Sequence, residues 1–326
     1  SKPFGTIRFN LPFIKGPFFY ASYNIRLFLH LLFSKADLLF SNDPDTLIPN
    51  YLVSRLKRID LIYDSHELFT EVPEVAQRGL VKSIWTSIEK TILPKLKYLL
   101  TVNHSIAKEY AKRYGVKMEV LRNLPKQNMG SGIIRTRADL GLPDSEKLIV
   151  FQGAINVDRG TEEAIEAMKL LRGHTLLVIG SGDVLQQAKE HAKNIGVAEK
   201  VIFLGRIDAE EMMAYTRICD VGLCLPKPTN LSYELSLPNK LFEYMQAGIP
   251  VVASNLLEVS KVVLKTDIGI LIPEVTPKEL AQAIGQITSD NELSNKYRMN
   301  SRQAATEFVW ENERKVLDKI LERIDG

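Results

Sequence analysis

From about residue 147 onward the chain keeps one rhythm: a short β-rich apolar run, a polar or glycine-containing turn, then a helical stretch. Residues 148–152, 175–179, 201–204, 221–225, 249–253 and 269–272 read as strands, and stretches such as 161–171 and 184–195 read as helices between them. Strands that alternate with helices are joined by crossovers, which makes their sheets parallel and covers them on both faces. The first half shows the same order more loosely, with strand-like runs at 37–41, 60–63, 98–102 and 118–121. Three of these runs end in polar clusters, Asn42-Asp43-Pro44-Asp45, Asp64-Ser65-His66-Glu67 and Asn103-His104-Ser105. The carboxyl edge of an open parallel sheet is where ligands bind.

A length of 326 residues suits two such units, and 45% hydrophobic with 25% charged residues is enough apolar material for two cores. The polar, glycine-rich segment 127–132 reads as the linker. The expected division is therefore 1–130, an incomplete first domain because no strand and glycine turn are evident before Phe9; 131–305, the second domain; and 306–326, a terminal helix that either packs on its own domain or crosses back to the first. Trp310 is the single large anchor of that last stretch. A formal charge of +3 gives no case for nucleic acid. Cys219 and Cys224 fall within one predicted strand on opposite faces, so they are expected as reduced thiols in a cytoplasmic protein. No apolar run has transmembrane length. Residues 13–35 mix aromatics with Lys15, Arg26 and Lys35; peripheral contact with a membrane is one reading, but the segment 20–33 is apolar on most faces, which fits a core helix better.

Ser236 to Ser254, SLPNKLFEYMQAGIPVVAS, carries the sharpest chemical signal. It reads as loop, helix, glycine stop at Gly248 and buried strand, with Pro238 at the first helical position. Lys240 in the first turn opposes the helix dipole, so its placement does not serve helix stability. A cation beside the free N–H groups of Asn239 and its neighbours suits a phosphate. One turn on, Glu243 can accept two hydroxyls of a ribose. Together they describe a nucleoside diphosphate.

This stretch resembles the nucleotide-sugar signature of family-4-type retaining glycosyltransferases, the glycosyl transferases group 1, which have the GT-B fold: two Rossmann-like doubly wound domains facing a cleft. Glu243 matches the second Glu of the family motif; the first would fall at Leu235, with Glu234 one place early. The resemblance implies that Gly153 and the cation Arg159 flank the donor phosphates, although Ala154 stands where the family carries an Arg. It further implies a Gly-x-Gly loop beneath the donor at Gly180 and Gly182, base reading by backbone groups at Arg206 and Ile207, and a His reaching the donor sugar or the reacting phosphate at His66. The catalytic set expected is then His66, Arg159 and Lys240. The donor is a nucleoside diphosphate sugar, the acceptor a carbohydrate or lipid-linked hydroxyl, the N-terminal domain its holder, and the anomeric configuration retained. The five histidines show no metal spacing, so no metal and no cofactor are expected. A sugar-nucleotide epimerase of the same architecture and a non-catalytic nucleotide-sugar-binding protein are the alternatives.

Overall fold

The computed structural model describes residues 5–127, 129 and 134–326. The expected boundary at 130/131 and most of the glycine-rich segment before it lie outside the described residues. The chain forms two compact units, Ser1–Arg122 with Val316–Gly326, and Asn123–Lys315.

In the first unit, β1 (Leu38–Asn42), β2 (Asp60–Ser65), β3 (Tyr98–Thr101) and β4 (Glu119–Val120) form a parallel sheet in that order. The helix Pro17–Phe33 does not become the core helix that its composition suggests. None of its residues is buried, and Phe18, Ile25, Leu29 and Phe33 are exposed. Its principal helix neighbour is Leu47–Lys57, and its residues are half-buried or exposed. Among the described residues no helix is long and apolar enough to cross a membrane.

In the second unit, β5 (Lys147–Ala154), β6 (His174–Ser181), β7 (Val201–Gly205), β8 (Val221–Cys224), β9 (Val251–Ser254) and β10 (Gly269–Ile272) form a parallel sheet in the order β10-β9-β8-β5-β6-β7. Alternation along β5 sends Ile149 and Phe151 into one core and Leu148 and Val150 into the other, so both faces are buried, as a parallel sheet requires. Cys224 ends β8, while Cys219 precedes it outside the strand; the two do not share a strand as expected, and both are buried and free. The turn after the helix Ala209–Arg217 takes up the residues that the apolar run had assigned to the strand.

The last helix, Trp310–Asp325, begins in the second unit, where the Trp310 N–H donates to Pro125, and its residues from Val316 on belong to the first, where Arg323 pairs with Glu119. Trp310 is only half-buried. The deep anchors are its predecessors Phe308 and Val309, and Phe308 stacks on Phe242 with ring centroids 5.4 Å apart. The preceding helix stops at Glu307, which frees these two side chains to turn inward.

Candidate functional site

From β5 the chain winds outward to β6 and β7, and from β8 it winds the opposite way to β9 and β10. The loops leaving β5 and β8 therefore diverge, and a crevice opens at their carboxyl ends. Gly153 lies at the end of β5, and Arg159 in the loop that follows it. The helix Asn239–Ala247, which leads into β9, brings Lys240 and Glu243 to the same place.

Pro238 is the N-cap of that helix, not its first residue as the spacing suggested: its ψ of 136° keeps it extended as the chain enters. No side chain caps the helix, so the N–H groups of Asn239 and Lys240 stay available to an anion. Lys240 is half-buried. Its Nζ sits 4.0 Å from the centre of the Phe151 ring, and a Cβ placed on Gly153 would stand 3.5 Å from its Cε. Burial, helped by the positive charge of Arg159 and opposed by Cys224 and Glu243, pushes the Lys240 ammonium down to about 8. The Arg159 guanidinium lies 4.1 Å from the centre of the Tyr233 ring, and its Nε is enclosed with no hydrogen-bond partner. Neither cation forms an ion pair among the described residues. Two like charges that repel each other, with no ion-pair partner among the described residues, form a site that favours an anion.

Glu243 is fixed from below. The fully buried Gln152 donates its amide Nε2 to Glu243 Oε2 at 2.5 Å, and Thr216 donates to Gln152 Oε1 at 2.8 Å. Burial raises the Glu243 carboxyl above its ordinary range, while the Gln152 hydrogen bond and the Lys240 charge work against that rise.

Gly180 has a φ of 143°, and a Cβ there would come within 1.9 Å of the Gly153 carbonyl oxygen. Gly182 likewise abuts the Asn156 side chain. The turns after β5 and β6 thus pack backbone to backbone, which by itself accounts for both glycines. Arg206 is exposed and Ile207 half-buried, directly after the edge strand β7. Two strand spacings place them roughly 10 Å from β5, the reach of a nucleoside rather than of a phosphate. Glu234 ends the short helix Leu231–Glu234, exposed and unpaired with either cation, whereas Leu235 is buried. The structure therefore does not bring Glu234 to Arg159 or Lys240.

In the first unit, His66 follows β2. Its Nε2 lies 3.1 Å from Asp64 Oδ2, and its backbone N–H donates to Asp43 Oδ1 at 3.0 Å. The Asp64 hydrogen bond, with the Asp64 and Asp43 charges, raises the His66 pKa despite partial burial. Burial and the Asp43 charge lift Asp45 nearby to about 6.

Two participants escaped the sequence reading. Gln152 interrupts an apolar strand, which was the visible signal of a buried polar role. Tyr233 left no signal, because only the folded loop sets it under Arg159.

Residues 133–304, more than half of the chain, match the family model of the glycosyl transferases group 1. The chain belongs to that family. An uncharacterized glycosyltransferase of Methanocaldococcus jannaschii is 28% identical over 183 residues, 55% of this chain and 45% of its own length. The phosphatidyl-myo-inositol mannosyltransferase of Mycobacterium leprae is 29% identical over 175 residues, 52% of this chain and 45% of its own. The chain thus spans a little under half the length of these group 1 relatives. Anabaena HepE, solved with UDP and glucose, superposes with a TM-score of 0.77 at 17% identity, over 94% of this chain and 83% of that one. Sucrose-phosphate synthase from Thermosynechococcus elongatus gives 0.75 at 20% identity, over 94% and 77%. The GT-B fold class expected from the sequence is the fold of this group 1 member.

Proposed function

We propose that this protein transfers a glycosyl group from a nucleoside diphosphate sugar to an acceptor hydroxyl, with the donor bound by the second unit. The observation that carries the reading is the pair of cations, Lys240 and Arg159, with no ion-pair partner among the described residues, beside an uncapped helix N-terminus, with Glu243 one turn on. In this reading the diphosphate lies across Lys240, Arg159 and the free N–H groups. Glu243 Oε1, which accepts no hydrogen bond among the described residues, accepts from the ribose. As the glycosidic bond breaks, charge grows on the leaving phosphate oxygen, and cations already in place stabilise it without reorganisation. Gly153 lets Lys240 cross the end of β5. Gly180 and Gly182 hold the neighbouring turn, and the backbone at Arg206 and Ile207 meets the base. His66, whose pKa is raised by the Asp64 hydrogen bond and the neighbouring carboxylates, is suited to hydrogen-bond an anionic or hydroxyl group of substrate.

Retention of configuration, a hexosyl donor, catalysis without metal and a role in cell-surface polysaccharide or glycolipid synthesis belong to the same proposal and are supported by the family alone. A cytoplasmic protein touching a membrane peripherally fits the exposed apolar side of the helix Pro17–Phe33. UDP-glucose bound by HepE and the mannosyltransferase name of the mycobacterial relative support a sugar-nucleotide donor without choosing one.

The test is a thermal-shift panel of uridine, guanosine and adenosine diphosphates and their sugars, followed by product analysis with simple acceptors. One diphosphate is expected to raise the melting temperature, and Glu243→Ala to remove the rise. Equal shifts in both proteins would place the nucleotide elsewhere.

A further inference from the structure

In the second unit the helices Thr161–Ala167 and Leu185–Asn194 pack together, and a cavity of about 460 Å³ opens between them and the loop after β5. Glu162 and Glu166 are one turn apart on the first helix, and His191 faces them from the second. One ligand-type atom from each of the three lies within 4.8 Å of the others, and His191 Nε2 is 3.1 Å from Glu166 Oε1. That contact is a hydrogen bond in the metal-free chain; zinc with donors at 2.0–2.1 Å spaces them about 3.3 Å apart, so an ion replacing the shared proton would need little movement of either side chain. Thr161 lines the same cavity. It is only 4% exposed, yet its hydroxyl has no hydrogen-bond partner, which is an orphan group of the kind a bound ion or its water satisfies. The cation lining the cavity, Lys227, is paired with Glu163, and the Asp158 and Glu162 charges act on it more weakly.

We propose that Glu162 and His191, which line this cavity, together with Glu166 beside them, bind a divalent first-row transition-metal ion, zinc by preference. One imidazole with two carboxylates suits zinc or cobalt; magnesium and calcium favour all-oxygen sets. The ion joins two helices at the foot of the loop that carries Arg159. None of its three ligands belongs to the candidate phosphate site, so the assignment stands apart from the proposed transferase reaction.

The experiment titrates the chelator-treated chain with zinc chloride and with cobalt chloride. Zinc is expected to bind with one equivalent and to raise the melting temperature by about 3 °C or more at saturation. Cobalt is expected to give the visible absorption of a low-coordinate site. His191→Ala and Glu166→Gln should each weaken zinc binding at least about tenfold and remove the cobalt band, since ligand loss is what the band reads. His191→Cys, which restores a ligand, should recover zinc binding with a new sulfur-to-cobalt absorption. The metal-free melting temperature of each variant shows that it folds. No zinc-dependent shift, or a shift and a cobalt band unchanged in His191→Ala, overturns the assignment.

Discussion

Gln152 and Glu243 meet end to end, amide to carboxylate at 2.5 Å, so that a fully buried strand residue sets the orientation of a helix residue at the crevice. Thr216 in turn holds the far end of the Gln152 amide at 2.8 Å. Gln152→Leu keeps the volume but leaves Glu243 Oε2 without its donor in a desolvated place, while the Thr216 hydroxyl keeps the Met212 carbonyl. It is expected to cost about 1–3 kcal/mol of stability and to weaken diphosphate binding. Calorimetric unfolding and titration calorimetry measure the two effects separately. A variant as stable and as tight-binding as the parent would show that the relay carries no weight.

Lys240→Met should split stability from function. The mutation removes a cation that burial and Arg159 disfavour, so the ligand-free protein is expected to melt higher. The same change should abolish the diphosphate-induced thermal shift and lower turnover by about 10²–10³, in line with loss of one oxyanion-hole donor. A lower ligand-free melting temperature would contradict the strain assigned to this lysine.

The pH dependence follows from the same group. Its folded pKa of about 8 lies below the ordinary 10.5, so between these values the unfolded chain binds more protons than the folded one. Stability from this group therefore rises with pH across that window. Diphosphate affinity should fall across the same window, because the ammonium is lost. Melting curves with and without nucleotide, taken from pH 7 to 10, would show the two slopes with opposite sign. Parallel slopes would remove Lys240 from the anion site.

Gly180→Ala is expected to be severely destabilising. Its Cβ would sit 1.9 Å from the Gly153 carbonyl oxygen, at a backbone φ of 143° that an L side chain resists. The backbone fixes the Cβ position and the oxygen is main chain, so no side-chain rotation relieves the clash. Soluble yield and melting temperature should drop together. Near-parental values would mean that the turns after β5 and β6 can separate.

In the first unit, Asp64→Asn should lower the His66 pKa toward the ordinary 6.5, since the Asp64 hydrogen bond is the main cause of its rise. With a folded pKa above the unfolded one, His66 adds stability that is complete below about pH 6.5 and fades as pH rises through the folded value. A proton NMR titration of the His66 ring reads the shift directly. An unchanged midpoint in the variant would show that Asp64 does not hold the charge.

How far the sequence reached differs between neighbouring residues of one segment. Lys240 and Glu243 were legible because their three-residue spacing fixes them on one helix face, and a cation in a first turn opposes the dipole wherever the helix lies. Pro238 was placed one residue too far into the helix, because only the dihedral angles of the entering chain show where the helix begins. The helix Pro17–Phe33 was misjudged for a related reason: apolar composition states what a helix would gain by burial, not whether anything packs over it.

The chain alone determined the alternation of strands and helices, and with it two parallel sheets, because crossovers of that length allow little else. It also determined which residue types line the carboxyl edge. Only the tertiary structure decided that β5 and β8 are neighbours and so where the crevice opens, that Arg159 lies on Tyr233, and that His191 faces Glu162 and Glu166. These relations join residues far apart in the chain, and no local pattern encodes them. They are fixed by the order in which strands pack to bury both faces of the sheet.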